Sequence, residues 1–193
     1  MLEFPEKRDR KAEEQFHRLY CRVSELRESK PLYPNEELNR LFEALREGKG
    51  GLESQEIEDR IWVLWCSHDE PEACARMESC IQAIAKRDDA RAHKLLDEMG
   101  TRWKGWAEVW NKRATLLFLE GRDAESLSDI DRTLSLEPRH FGALCGLGQI
   151  AIRQGEPHLA LAGFQAAVAI NPNLAGARAT AESLHRSLRC QNN

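Results

Sequence analysis

The residues from Trp110 to Pro138 repeat in kind when the chain is shifted by 34 positions. Gly121 falls on Gly155 and Pro138 on Pro172. Trp110 meets Leu144, Ala114 meets Gly148, Leu127 meets Leu161, Ile130 meets Phe164 and Leu136 meets Ile170. A fixed period of this length marks helical hairpins stacked in a row, none of which can bury its apolar face alone. It nearly decides the fold, and it turns the functional question from catalysis toward the holding of a partner.

Composition agrees. Ala, Leu, Glu and Arg are abundant and β-branched runs are missing, which suits helices. The net charge is −4, with Lys and Arg interleaved with Asp and Glu, so no basic patch is set aside for phosphates and nucleic acid is not an expected partner. None of the six cysteines (Cys21, Cys66, Cys74, Cys80, Cys145, Cys190) forms a C-x-x-C pair, and most fall at apolar helical positions. They read as core thiols in a reducing compartment. No secretory leader and no apolar run long enough to span a membrane are visible. The expected location is the cytoplasm, or an organelle interior if a transit peptide was removed.

Along the chain, Ala12, Phe16, Leu19, Val23 and Leu26 alternate spacings of four and three, the stripe of an amphipathic helix within residues 1–30 that Tyr20 and Cys21 widen. Pro31 and Pro34 break it. Residues 31–72 then predict a degenerate hairpin. Its first helix runs from Glu36 to Glu47, capped by Asn35 and stopped by Gly48, Gly50 and Gly51. Its second helix, capped by Ser54, reaches Ser67 with Ile57, Ile61, Trp62, Leu64 and Trp65 inward. Pro71 suits the first turn of the next helix. Three frames follow at 73–106, 107–140 and 141–174. In the first, Cys80, Ala92 and Leu96 hold the phase, the turn Lys86-Arg87-Asp88-Asp89 lacks glycine, and Gly100 is expected to end the helix early. Residues 175–193 form a terminal helix and tail, with Ala177, Ala181, Leu184 and Leu188 on one side and a charged outer face, as a cap requires.

Trp110-x-x-Arg113-Ala114-x-x-Leu117, Gly121, Ser126-x-x-x-Ile130 and Pro138 form one template. Leu144-x-x-Leu147-Gly148-x-x-Ala151, Gly155, Ala160-x-x-x-Phe164 and Pro172 form its second copy. Together they resemble the tetratricopeptide repeat, whose pattern is W-x2-L-G-x2-Y, then A-x3-F, then P. Small residues at the eighth and twentieth positions let two helices approach, and the large one at the twenty-fourth fills the gap toward the next repeat. The resemblance covers 73–189 well and 36–72 loosely. The runs Trp110–Thr115 and Glu137–Gly142 are similar to those of small bacterial-type tetratricopeptide proteins, a likeness that brings no assigned activity with it. The implied fold is an all-α, right-handed superhelical solenoid of antiparallel helix pairs, with an extra N-terminal helix and a capping C-terminal one.

No reactive motif stands out. Gly142-x-x-x-Gly146-x-Gly148 lacks the Lys-Ser/Thr of a nucleotide loop and sits inside a helix, H-E-x-x-H and G-x-S-x-G are missing, and the histidines lack partner patterns. His17 and Cys21 have ligand spacing but no second pair, so no metal or other cofactor is expected. Trp103, Trp106 and Trp110 cluster at a repeat junction and read as inter-repeat core. Trp103 or Trp106 is expected to stay exposed, because two tryptophans three apart cannot share one seam.

The resemblance implies a concave groove lined by positions 2, 5, 9 and 12 of each frame. These are Cys74, Met77, Ile81 and Ile84, then Glu108, Asn111, Thr115 and Phe118, then Gly142, Cys145, Gln149 and Ile152. Met77, Ile81, Ile84 and Phe118 would supply affinity, and Asn111, Lys112, Gln149 and Arg153 would set register. Met77 and Ile81 stand where a carboxylate-gripping groove needs Lys and Asn, so such a clamp is not expected. The groove could instead hold the chain's own N-terminal helix. The expected function is a non-enzymatic module that binds a protein or peptide partner. The alternative is a self-associating assembly factor, a homodimer pairing through the stripe at Ala12–Leu26.

Overall fold

The computed structural model describes residues 10–26, 29–47 and 52–191. Gly48, Gly50 and Gly51, and the outer parts of the 1–30 and 175–193 elements, lie outside the described residues. Among the described residues there are ten helices and no strand: α1 (Arg10–Glu25), α2 (Glu36–Glu47), α3 (Leu52–Trp65), α4 (Pro71–Ala85), α5 (Asp89–Arg102), α6 (Ala107–Leu119), α7 (Asp123–Leu136), α8 (Phe141–Arg153), α9 (Pro157–Ile170) and α10 (Ala175–Gln191). None is long and apolar enough to cross a membrane. Helices α4–α5, α6–α7 and α8–α9 pack as hairpins. Each hairpin touches the next through α5 on α6 and α7 on α8, and α10 closes the row against α9. The array is a solenoid.

The repeat is enforced at its turns. Gly121 and Gly155 adopt φ of 75° and 70°, and the residue one period upstream, Arg87, is forced into the same left-handed region at 59°. In each turn the following amide closes a six-to-one bond onto the first helix: Asp88 N to Ala83 O at 2.9 Å, Arg122 N to Leu117 O at 2.9 Å, and Glu156 N to Ala151 O at 2.8 Å. The geometry is therefore constant even where glycine is not.

Close approach within hairpins follows from the small positions. A Cβ on Gly148 would stand 2.6 Å from the Phe164 ring, so the ring lies directly on the glycine backbone. The large residue thus fills space inside its own hairpin as well as toward the next. In the preceding hairpin Ser126 donates to the Ala114 carbonyl at 2.7 Å. Gly100 lies within α5 instead of ending it, and the Trp110 ring packs against it, 3.3 Å from a built Cβ.

The N-terminal elements fold back onto this array. Leu19 and Val23 are buried, and Phe16 and Leu26 half-buried, where α1 packs on the second helices α7 and α9. Gln15 donates to the Ala124 carbonyl at 2.9 Å, and Arg22 pairs with Asp131. The stripe is thus turned inward, away from the groove, and Tyr20 faces solvent. Asn35 caps α2 as expected, accepting from Leu38 N at 2.8 Å, whereas α3 begins two residues before Ser54. Helices α2 and α3 do pair, but they do not stack ahead of α4 as a fourth repeat. Phe42, Leu45, Ile61 and Trp65 join the core of α7–α9.

Both tryptophans of the 103–106 junction are buried, contrary to the expectation that one would be exposed. They sit on a bend between helices, not on one helical face. Trp103 donates to Glu70 at 2.9 Å and Trp106 to the Trp65 carbonyl at 2.7 Å, with the rings edge to face at 6.5 Å.

The strained turn gives a direct check. Arg87→Gly should raise stability by about 0.5–1 kcal/mol, the left-handed cost relieved less the added freedom of the unfolded chain. Urea unfolding of the two proteins measures it, and equal or lower stability would contradict the role assigned to this turn.

Candidate partner-binding surface

Frame positions 2, 5, 9 and 12 of the first helices α4, α6 and α8 differ sharply in burial. Position 2 is covered by the chain itself. Segment 58–68, the end of α3 and its exit, runs across the three hairpins in reverse order. Glu58 accepts from Asn171 at 2.8 Å, the Trp62 ring lies where a Cβ on Gly142 would stand, and the Cys66 thiol points at Glu108 from 4.0 Å. Finally, the Cys74 thiol donates to the His68 carbonyl at 3.2 Å. Segment 58–68 thus covers position 2 of the three first helices, whereas the N-terminal helix α1 packs on α7 and α9.

Beneath this segment lies a polar cluster around Glu108, whose side chain is 0% exposed. Its oxygens accept from Lys112 Nζ at 2.8 Å, from Asn111 Nδ2 at 3.2 Å and from His140 Nε2 at 2.8 Å. His140, equally buried, accepts from the Ala143 amide through Nδ1 at 3.1 Å and so caps α8. That bond places the imidazole proton on Nε2, facing the carboxylate. Trp65 stacks on the same imidazole at 4.0 Å and 9°, and Lys112 lies over Trp62 at 5.6 Å. Burial works against the charge of both Glu108 and Lys112. The His140 hydrogen bond and the mutual attraction outweigh it, so the carboxyl is held below its ordinary range and the ammonium above.

Positions 9 and 12 remain open. Ile81 and Ile152 are 41% and 46% exposed, Thr115 and Gln149 are exposed, and Ile84 and Phe118 are half-buried. Between α6 and α8 a shallow cleft of about 140 Å³ brings together Asn111, Thr115, Phe118, Cys145 and Gln149. Arg153 lies over Phe118 at 4.1 Å and is paired with Asp123.

Against models of known protein families the chain finds no match. A curated relative, a TPR repeat-containing protein of Rhizobium etli, is 32% identical over 139 residues, covering 72% of this chain and 68% of that protein. The chain belongs to the tetratricopeptide repeat family.

Within the tetratricopeptide frame the expected groove residues separate by burial. Ile81, Ile84, Thr115, Phe118, Cys145, Gln149 and Ile152 lie on or beside the open strip. Met77 is buried in the core between α4 and α5, Glu108 is buried beneath α3, and Asn111, buried and bonded to Glu108, lies at the cleft between α6 and α8. Lys112 and Arg153, expected to set register, are spent on Glu108 and Asp123. Sequence reasoning missed the Glu108–His140 pair. Its members lie 32 residues apart with no motif joining them, and the one available signal was a Glu at an otherwise apolar junction. Burial pushes the Cys66, Cys80 and Cys145 thiols up to about 11, so they are protonated and poor nucleophiles. Among the described residues no group of three or more His, Cys, Asp or Glu could hold a metal.

The buried carboxylate carries a pH signature. Its folded pKa lies below the ordinary 4.5, so the stability it supplies is complete above that value and is lost as pH falls through the folded pKa. Glu108→Gln should cost about 3 kcal/mol near neutrality, by stranding Lys112, and should flatten the acid limb below pH 4.5. Urea midpoints from pH 3 to 7 test both; an unchanged acid limb would show that Glu108 is not the titrating group.

Proposed function

We propose that the chain is a non-enzymatic protein-interaction module that takes a partner segment, peptide or helix, on the open strip of its concave side. The observation that carries this reading is the exposure of Ile81, Thr115, Gln149 and Ile152 at positions 9 and 12 of successive first helices, with Ile84 and Phe118 half-buried beside them, while positions 2 and 5 of the same helices are buried or half-buried. Ile81, Ile84, Phe118 and Ile152 supply apolar contact. Gln149 sets register, and Thr115 and Cys145 line the cleft. Met77, Glu108, Asn111, Lys112 and Arg153 fix the shape of the surface from beneath or from its edge.

The affinity of such surfaces concentrates in a few central side chains. Ile152→Glu combined with Phe118→Ala should lower partner affinity at least about tenfold, with thermal unfolding kept as a control for the half-buried Phe118. Affinity capture from lysate by the intact chain and by the variant, scored by the proteins retained, makes the comparison. Identical retention by both would overturn the assignment.

A further inference from the structure

We propose that the cavity between α1, α2 and α9 binds a small aliphatic carboxylate, its tail against the alanines of α9 and its charge on Arg46. The site lies where the N-terminal helices meet α9, away from the first helices, so it goes beyond the interaction strip and stands without it.

The cavity follows from how the N-terminal helices meet the array. Helices α1 and α2 each pack on α9, with little direct packing between them. The gap is floored by Ala162, Ala166 and Ala169, spaced at i, i+4 and i+7 along one side of α9. Methyl groups keep that floor low, where longer side chains would fill the space. Val23 and Leu26 of α1 and Phe42 of α2 supply apolar walls. About 650 Å³ is left, within the roughly 300–1,000 Å³ of ordinary small-molecule sites. The cleft between α6 and α8 holds about 140 Å³. Water in the larger space touches mostly carbon, and an apolar body of matching size gains by displacing it.

The polar groups of the lining select the charge. Arg139 is already engaged: its guanidinium pairs with Glu137 at 2.8 Å, donates to Asn39 at 2.7 Å and lies over the Phe42 ring at 4.5 Å. Arg46 is different. Its Nε reaches the Phe42 carbonyl at 3.4 Å, and no carboxylate among the described residues meets its terminal amino groups. None of the described residues that line the cavity is acidic. One positive charge is therefore left over, which attracts an anion and repels a cation. The hydroxyls of Ser24 and Ser29 give their protons to the carbonyls of Tyr20 and Glu25, each at 3.0 Å. The side-chain hydrogens still to be given are those of Arg46 and Gln165. Free donors suit a head group that only accepts, and an ionised carboxylate is one. The planar fork of a guanidinium fits its two oxygens. A single free guanidinium matches a monoanion, and a phosphate dianion would keep charge unmet.

Isothermal titration of the full chain with decanoate and with decyltrimethylammonium tests the charge. Decanoate should saturate at one per chain, and the ammonium should bind at least about tenfold more weakly. Arg46→Gln, at an exposed position, should weaken decanoate by a similar factor while leaving the melting temperature in place. Ala166→Phe should abolish binding by filling the floor. A diazirine analogue of decanoate, cross-linked to the unaltered chain and mapped by mass spectrometry, should mark peptides of α1, α2 or α9. Equal binding of the two probes, or decanoate binding untouched by Arg46→Gln, would overturn the carboxylate. Cross-links confined to other helices, or a folded Ala166→Phe chain that still binds, would overturn the cavity as the site. Absence of saturable binding would overturn both.

Discussion

A carboxylate removed from water must be met by donors on every side, and Glu108 is met by Lys112, Asn111 and His140. These partners come from the first turns of α6 and from the cap of α8, so one charge ties two successive hairpins at their entry ends. His140 also carries the stack with Trp65, which seats α3 over the cluster. The Trp65 indole N–H finds no acceptor, so that side chain holds by ring contact, while the Trp65 carbonyl accepts from Trp106 and Glu58 from Asn171. Because α3 rests on this cluster, the cluster also decides how much of the concave side the solenoid keeps open.

The N-terminal third therefore acts as a wrap and not as another repeat. Helix α1 lies on the outer helices α7 and α9, while α2 and α3 cover the edge and the inner ends of the stack. A short array exposes apolar surface on both sides of its hairpins, and this segment covers much of it. The same covering leaves an uncharged band whose surrounding cations are already paired.

Residue by residue, the repeats were legible and the wrap was not. Gly121, Gly155 and the six-to-one bonds around them announce themselves through backbone geometry, and Gly148 with Phe164 through size. Those constraints act between neighbours in the chain or one hairpin apart, where spacing in the sequence equals spacing in space. Gly100 was not legible because glycine marks helix ends and also close contacts inside helices, and here it lies within α5 under the Trp110 ring. Trp103 and Trp106 misled because helical spacing was assumed across a bend.

The sequence by itself determined the period, the helical class and the hairpin turns, since each is fixed by local sterics repeated every 34 residues. Only the tertiary structure decided which positions of the first helices stay open. That depended on Trp62 finding Gly142 and on Glu108 finding His140, contacts between residues far apart in the chain. No periodic pattern encodes such a meeting, because packing and desolvation select it only after the helices exist.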